Sequence, residues 1–133
     1  INPSGSTLYV TNPLQNSISV INTATLVTIA TIGLAADSFP RGVACTPTRL
    51  YVALQGSSSV AVIDTLLNTV LTTIGLIANS EPINLAVTPD GLFVYVTQTL
   101  DNTVSVISTL TNTVVDTITV GNYPYDVAIV TTP

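Results

Sequence analysis

The stretch from Thr88 to Ile118, TPDGLFVYVTQTLDNTVSVISTLTNTVVDTI, decides the fold. Three runs rich in Val, Ile, Thr and aromatics, at Phe93–Thr97, Thr103–Ile107 and from Thr113 onward, are separated by turn residues. Such runs read as successive strands joined by hairpins. Asp90-Gly91 ahead of the first run is hairpin-turn chemistry. In the middle run Val104 and Val106 share one face and the small Ser105 takes the other, because side chains alternate along a strand. β-Branched residues dominate and no 3.6-residue period survives the prolines, which excludes a helix.

Outward from this stretch, the chain repeats itself. Pro40, Pro82 and Pro124 lie 42 residues apart. Each is followed by an apolar triplet: Val43-Ala44-Cys45, Leu85-Ala86-Val87 and Val127-Ala128-Ile129. A turn and a Tyr-Val pair come next (Tyr9-Val10, Tyr51-Val52, Tyr95-Val96), then Ser19-Val20-Ile21, Ala61-Val62-Ile63 and Ser105-Val106-Ile107. Four strands per repeat are expected. The first is Gly42–Thr46, Asn84–Thr88 and Asp126–Val130. The second is Thr7–Thr11, Leu50–Leu54 and Phe93–Thr97. The third is Ser17–Ile21, Ser59–Ile63 and Thr103–Ile107. The fourth is Val27–Ile32, Thr69–Ile74 and Thr113–Val120. Four antiparallel strands in about 42 residues make one blade of a β-propeller, so the fold is expected to be all-β with three blades in one domain spanning residues 1–133.

Tyr9-Val10-Thr11-Asn12 and Tyr95-Val96-Thr97-Gln98 resemble the signature of the YVTN-type β-propeller repeats, and the stretch from Thr88 to Ile118 is the part most similar to that family. The second repeat departs from it, with Ala53 and Leu54 in place of Thr-Asn. The resemblance implies a propeller of the surface-layer kind, extracytoplasmic, serving for binding or scaffolding rather than catalysis.

Three blades do not close a ring of about 4–8. The first blade lacks its innermost strand, and a surplus one, Tyr125 through Val130, follows the third. Two copies about a twofold axis would make six blades, each chain's Tyr125–Val130 completing the first blade of the other against Thr7–Thr11. The alternative is a section of one longer propeller. The chain starts at Ile1 and contains no Met, which fits either N-terminal processing or a piece of something longer.

Charged residues are only 7% of the chain, against about 25% in ordinary domains. Residues 1 to 36 carry no charge, but Asn, Ser, Thr, Pro and Gly interrupt them too often for a spanning helix. Sheets covered on both faces account for the composition, and no membrane insertion is expected. A net charge of −5 with two basic residues excludes nucleic acid, which needs cations to displace phosphate counterions.

The chemical inventory is thin. There is no His, no Lys and a single Cys, so zinc, copper and haem lack a ligand set, a serine nucleophile lacks a base, and no metal or cofactor is expected. Cys45 reads as a small buried hydrophobe. Tyr9, Tyr51 and Tyr95 read as packing residues with a wet hydroxyl. Charged and aromatic groups gather only in the loops joining one repeat to the next. Arg41, Asp37, Glu81, Asn84, Tyr125 and Asp126 are the candidate ligand-binding residues there, at the channel mouth; no catalytic residue is proposed. Arg41, Ile83 and Tyr125 occupy equivalent positions, as do Gly42, Asn84 and Asp126, and differing chemistry on a repeated frame is how a repeat scaffold individualises a site. Pairing of Arg41 with Asp126 or Glu81 is the plainer reading of these charges. A non-enzymatic module presenting these loops to a protein or glycan partner leads. A carbohydrate or small-molecule binder follows, and a lactonase- or lyase-type enzyme is the remote third.

Overall fold

The computed structural model describes residues 1–130. Its strands form three antiparallel sheets. The first is β1 (Thr7–Asn12), β2 (Ser17–Asn22) and β3 (Val27–Gly33). The second is β4 (Pro40–Cys45), β5 (Arg49–Leu54), β6 (Ser59–Asp64) and β7 (Thr69–Gly75). The third is β8 (Pro82–Val87), β9 (Phe93–Gln98), β10 (Thr103–Ser108) and β11 (Thr113–Thr119). Within each sheet the strands follow one another in chain order, as meanders. The three sheets are consecutive blades of a β-propeller.

The core lies between blades, in two clusters made of equivalent residues. Tyr9, Ile18, Val20 and Ile32 of the first blade meet Leu50, Val52, Leu54, Ala61 and Ile63 of the second. The opposite face of the second blade (Tyr51, Ala53, Val60, Val62, Ile74) meets Leu85, Val94, Val96 and Ile107 of the third. Alternation along each strand supplies both faces at once, so only the middle blade is covered on both sides. Ala61 is small where the first blade leans on the second, as the alternation of the third strands predicts. Tyr9 and Tyr51 pack in the core while Tyr95 is only half-buried, and Tyr51 departs from the expected wet hydroxyl: it is fully buried and its hydroxyl donates to Asn112 Oδ1 at 3.3 Å.

The inner strands depart most from the sequence expectation. The inner strands β4 and β8 begin at Pro40 and Pro82, two residues earlier than expected, because a proline without a donor is tolerated as the first residue of a strand. The expected strand Tyr125–Val130 does not form. A strand exists only when a neighbour accepts its hydrogen bonds, and no second strand of a fourth blade stands beside it among the described residues.

One irregularity recurs in all three blades and a second in the two that have an inner strand. The pairing of each third strand with the outermost strand slips at Val20/Ile21, Val62/Ile63 and Val106/Ile107, leaving Ile29, Leu71 and Val115 as extra residues. The pairing of inner and second strands slips between Pro40 and Val43 and between Pro82 and Leu85.

Turns repeat as well. The hairpin closing onto each outermost strand holds Leu26, Asn68 or Asn112 in the left-handed region (φ 58°, 53° and 53°). Asn tolerates that conformation, whereas a leucine is strained by its Cβ. Leu26 is also 82% exposed, so nothing offsets the strain by packing. Leu26→Asn is expected to stabilise the protein by about 1 kcal/mol, read as a higher urea midpoint at unchanged slope.

Arg49 and Asp64 face each other in register on β5 and β6 and form an ion pair at 3.0 Å. The backbone N–H groups of Leu67 and Leu66 hold the Asp64 carboxyl below its ordinary range, with Arg49 adding to them. Such a group stabilises the fold above its unfolded pKa and loses that contribution as pH falls through the folded one. Asn22 makes the same two turn bonds, to Ala24 N and Thr25 N, without titrating. Asp64→Asn should therefore flatten the loss of thermal stability that wild type shows below about pH 4.

Candidate functional site

The irregularity of the inner strands builds the site. Between Pro40↔Leu54 and Val43↔Val52 two residues, Arg41 and Gly42, face one, Ala53. Ile83 and Asn84 face Thr97 in the same way. A bulge frees residues from the ladder and re-aims their side chains, and bulges gather at binding sites for that reason. The freed backbone is met by hydroxyls: Thr11 Oγ1 donates to Arg41 O at 2.8 Å, and Thr97 Oγ1 accepts from Asn84 N at 3.1 Å. Tyr125 O is likewise approached by Thr97 Oγ1 at 3.1 Å.

Four of the six expected site residues, Arg41, Asn84, Tyr125 and Asp126, line one open depression of about 370 Å³ together with Thr11, Pro13, Pro40, Gly42 and Ile83. The Asn84 amide donates to the Asp126 carboxylate across it. Gly42 belongs to the geometry too, since a Cβ there would clash with Asn84 Oδ1 and Asn84 Cα. Its lack of a side chain lets β4 and β8 approach.

Glu81 lines a neighbouring depression, with Arg41 at the boundary between the two. There Arg41 Nε donates to Gln55 Oε1 at 2.5 Å, and Gln55 Nε2 donates to Glu81 Oε2 at 3.0 Å. Gln55 therefore bridges the guanidinium and the carboxylate. The direct pairings of Arg41 with Asp126 or Glu81 do not form; among the described residues the ion pair is Arg49–Asp64. Asp37 lines neither depression: its carbonyl packs against Gly56, and its φ is 57°. Gln55 was not among the six candidates, although it too differs from its equivalents in the other repeats, Pro13 and Thr99.

In the first and third blades the loop between the second and third strands meets the loop that leaves the blade. Asn16 Oδ1 accepts from Phe39 N at 3.0 Å, and Asn102 Oδ1 accepts from Tyr123 N at 2.9 Å. Phe39, Glu81 and Tyr123, each preceding a proline, sit at φ 43°, 51° and 56°. That is a costly backbone for residues with a Cβ, and it persists because the surrounding contacts hold it.

Cys45 is half-buried against the first core cluster, and burial pushes its thiol up from the ordinary value, away from the nucleophilic thiolate. Among the described residues no three His, Cys, Asp or Glu side chains come together as a metal site. Among the described residues no helix is long and apolar enough to cross a membrane.

No protein-family model matches the chain. No curated protein matches it either. Solved structures do. Hydrazine synthase of Kuenenia stuttgartiensis superposes with a TM-score of 0.84 and 27% identity over 92% of this chain and 35% of that one. A catalytically inactive histidine-to-alanine variant of virginiamycin B lyase from Staphylococcus aureus, with quinupristin, gives 0.70 and 18% over 80% of this chain and 36% of that one. Dihydro-heme d1 dehydrogenase NirN gives 0.71 and 13% over 88% and 26%. The chain spans about a third of the first two and a quarter of the last. What these likenesses carry is the propeller fold.

Proposed function

We propose that this chain is a non-enzymatic binding scaffold of the YVTN-repeat kind, extracytoplasmic, that offers its channel mouth to a protein or glycan partner. The observation that carries this reading is the repeated bulge. On one frame it presents Arg41–Gly42, then Ile83–Asn84, and the next repeat brings Tyr125–Asp126 to the same rim. A fixed backbone with changing side chains is suited to recognition. Catalysis has less to work with. The similar lyase is inactivated by replacing a histidine, and this chain has none.

A polar small molecule or sugar in the mouth is the second reading, favoured by the depression itself, which is lined by both a guanidinium and a carboxylate. In either case the ring is completed by a second copy, giving a particle of twice the 13.8 kDa chain mass. Light scattering reads that mass directly. A glycan array and a thermal-shift screen test the mouth. A bound ligand raises the Tm of wild type and leaves an Arg41→Ala/Asp126→Ala variant unmoved. A ligand that shifts both proteins equally, or a screen in which nothing binds, counts against the mouth.

A further inference from the structure

We infer that the depression beside Glu81 is a binding site of its own, which takes the N-acetyl group of an amino sugar at a place where the other two repeats hold an asparagine. The inference does not rest on the reading of the mouth, since Tyr125 and Asp126 lie outside this depression.

The three loops between second and third strands share one backbone. Asn16, Ser58 and Asn102 end them in the left-handed region, at φ 47°, 48° and 57°. Their carbonyls accept from Leu34 N, Leu76 N and Val120 N at 2.8, 2.9 and 3.0 Å. The segments facing the first two of these loops also agree. Ser38 O and Ser80 O accept from Gly56 N and Leu100 N at 3.0 and 3.1 Å, and Phe39 O and Glu81 O accept from Gln55 N and Thr99 N at 3.2 and 3.1 Å.

The side chains on this common frame differ. Asn16 Oδ1 accepts from both Ser38 Oγ, at 3.2 Å, and Phe39 N, at 3.0 Å. Asn102 Oδ1 accepts from Tyr123 N at 2.9 Å. In the second blade the side chain is Ser58, one bond too short to do the same. The equivalent of Ser38 is Ser80, only 1% exposed, and its hydroxyl has no hydrogen-bond partner among the described residues. A buried hydroxyl left so costs stability and calls for an explanation. Serine is also a poorer residue than asparagine for a left-handed backbone. Position 58 therefore gives up stability twice, which is the mark of a residue kept for a site.

The point that Asn16 Oδ1 occupies in the first blade is flanked in the second by Ser58 and Glu81, and both line an open depression of about 590 Å³. Its occupant must bring an acceptor, because the groups converging there, the Ser80 hydroxyl and the Glu81 N–H, are donors. A neutral carbonyl oxygen fits best. The walls carry one charge of each sign, Arg41 and Glu81, bridged through Gln55, so no net charge draws an ion. Glu81 Oε2 accepts from Gln55 Nε2, which leaves the other carboxylate oxygen for a ligand N–H. Phe39 and the 48% exposed Leu100 offer apolar surface to a methyl group. Carbonyl, N–H and methyl together make an acetamido group. The amides of Asn79 and Gln55, able to donate and accept, suit the hydroxyls of a sugar that carries it.

The experiment is an amide-resolved NMR titration with N-acetylglucosamine, glucosamine, glucose and N-acetylglycinamide, run on wild type, Ser58→Asn and Ser80→Ala, with urea unfolding of each protein. In wild type N-acetylglucosamine moves the Glu81 amide resonance saturably, and glucose and glucosamine do not. Ser80→Ala weakens binding by about tenfold, the worth of one such hydrogen bond. Ser58→Asn supplies the acceptor from within the chain, so it raises the urea midpoint and abolishes the saturable shift. A wild type that saturates with none of the four overturns the site and leaves the Ser80 hydroxyl to solvent water. Equal binding of glucose overturns recognition of the acetyl group, and equal binding of N-acetylglycinamide overturns the sugar. Undiminished binding by Ser58→Asn overturns the placement at Ser80. Shifts confined to Tyr125 and Asp126 place the ligand in the mouth and overturn this site alone.

Discussion

Tyr51→Ala is expected to lower the unfolding free energy by about 3–5 kcal/mol, the range for emptying a large aromatic site in a core. Tyr51 is the largest fully buried side chain. It lies opposite Val62 on the face that meets Leu85, Val94 and Val96, so its loss opens a cavity in the apolar junction of the second and third blades. Part of the cost is polar, because Asn112 Oδ1 loses its donor. Tyr51→Phe isolates that part at about 1 kcal/mol. Total stability of a domain this size is about 5–15 kcal/mol, so the alanine variant unfolds at markedly lower urea. Burial also pushes the Tyr51 phenol up, with Arg49 opposing. The neutral phenol is thus favoured in the fold, and its contribution is complete below pH 10 and fades as pH rises through the folded value. Tyr51→Phe removes that alkaline decline. The equivalent Tyr95 stands on the bare far face, so in a monomer Tyr95→Ala costs much less; an equal cost would show that its face is covered.

Gln98→Leu should cost about 1–3 kcal/mol although leucine is the residue the second repeat uses at that position. The side chain of Gln98 is fully buried; its amide donates to Thr103 Oγ1 at 2.7 Å and its carbonyl accepts from Ser105 Oγ at 2.8 Å. Leucine fills the space but strands the Ser105 hydroxyl, which is itself buried. At the matching place in the second blade Leu54 is accompanied by Ala61, with no hydroxyl to satisfy. Gln98→Leu/Ser105→Ala imports both halves of that solution and is expected to return to within about 0.5 kcal/mol of wild type, a coupling of 1 kcal/mol or more. Simple additivity in urea unfolding would show that the network contributes nothing as a unit.

Strand positions were legible because alternation and repetition agree: Ile18 with Val20 and Val60 with Val62 fall on the faces their spacing assigns. The bulges were not. Ile29, Leu71 and Val115 are ordinary strand residues whose extra count shows only when the neighbouring strand is laid beside them. The site was half legible for the same reason. Differences between equivalent positions singled out Arg41, Asn84 and Asp126, yet the bridge through Gln55 depends on how far the bulge turns Arg41. The ion pair went elsewhere: Arg49 meets Asp64 because register sets them opposite, and composition does not encode register. For residues 125–130 the composition reads as strand, but pairing is a property of two segments, and among the described residues no strand is paired with them.

The rim is guarded by a kink and little else. The outermost strands β3 and β7 contain no charged residue, and β11 contains only Asp116. Each turns a row of free amides and carbonyls outward with no lysine or proline to repel an intruder. What spoils that row as a template is the extra residue at Ile29, Leu71 and Val115, together with the repulsion of a net charge of −5. Deleting Leu71 would straighten one edge, and acid would discharge the carboxylates. Either change should make the exposed edge a seed for lateral, thioflavin-positive stacking.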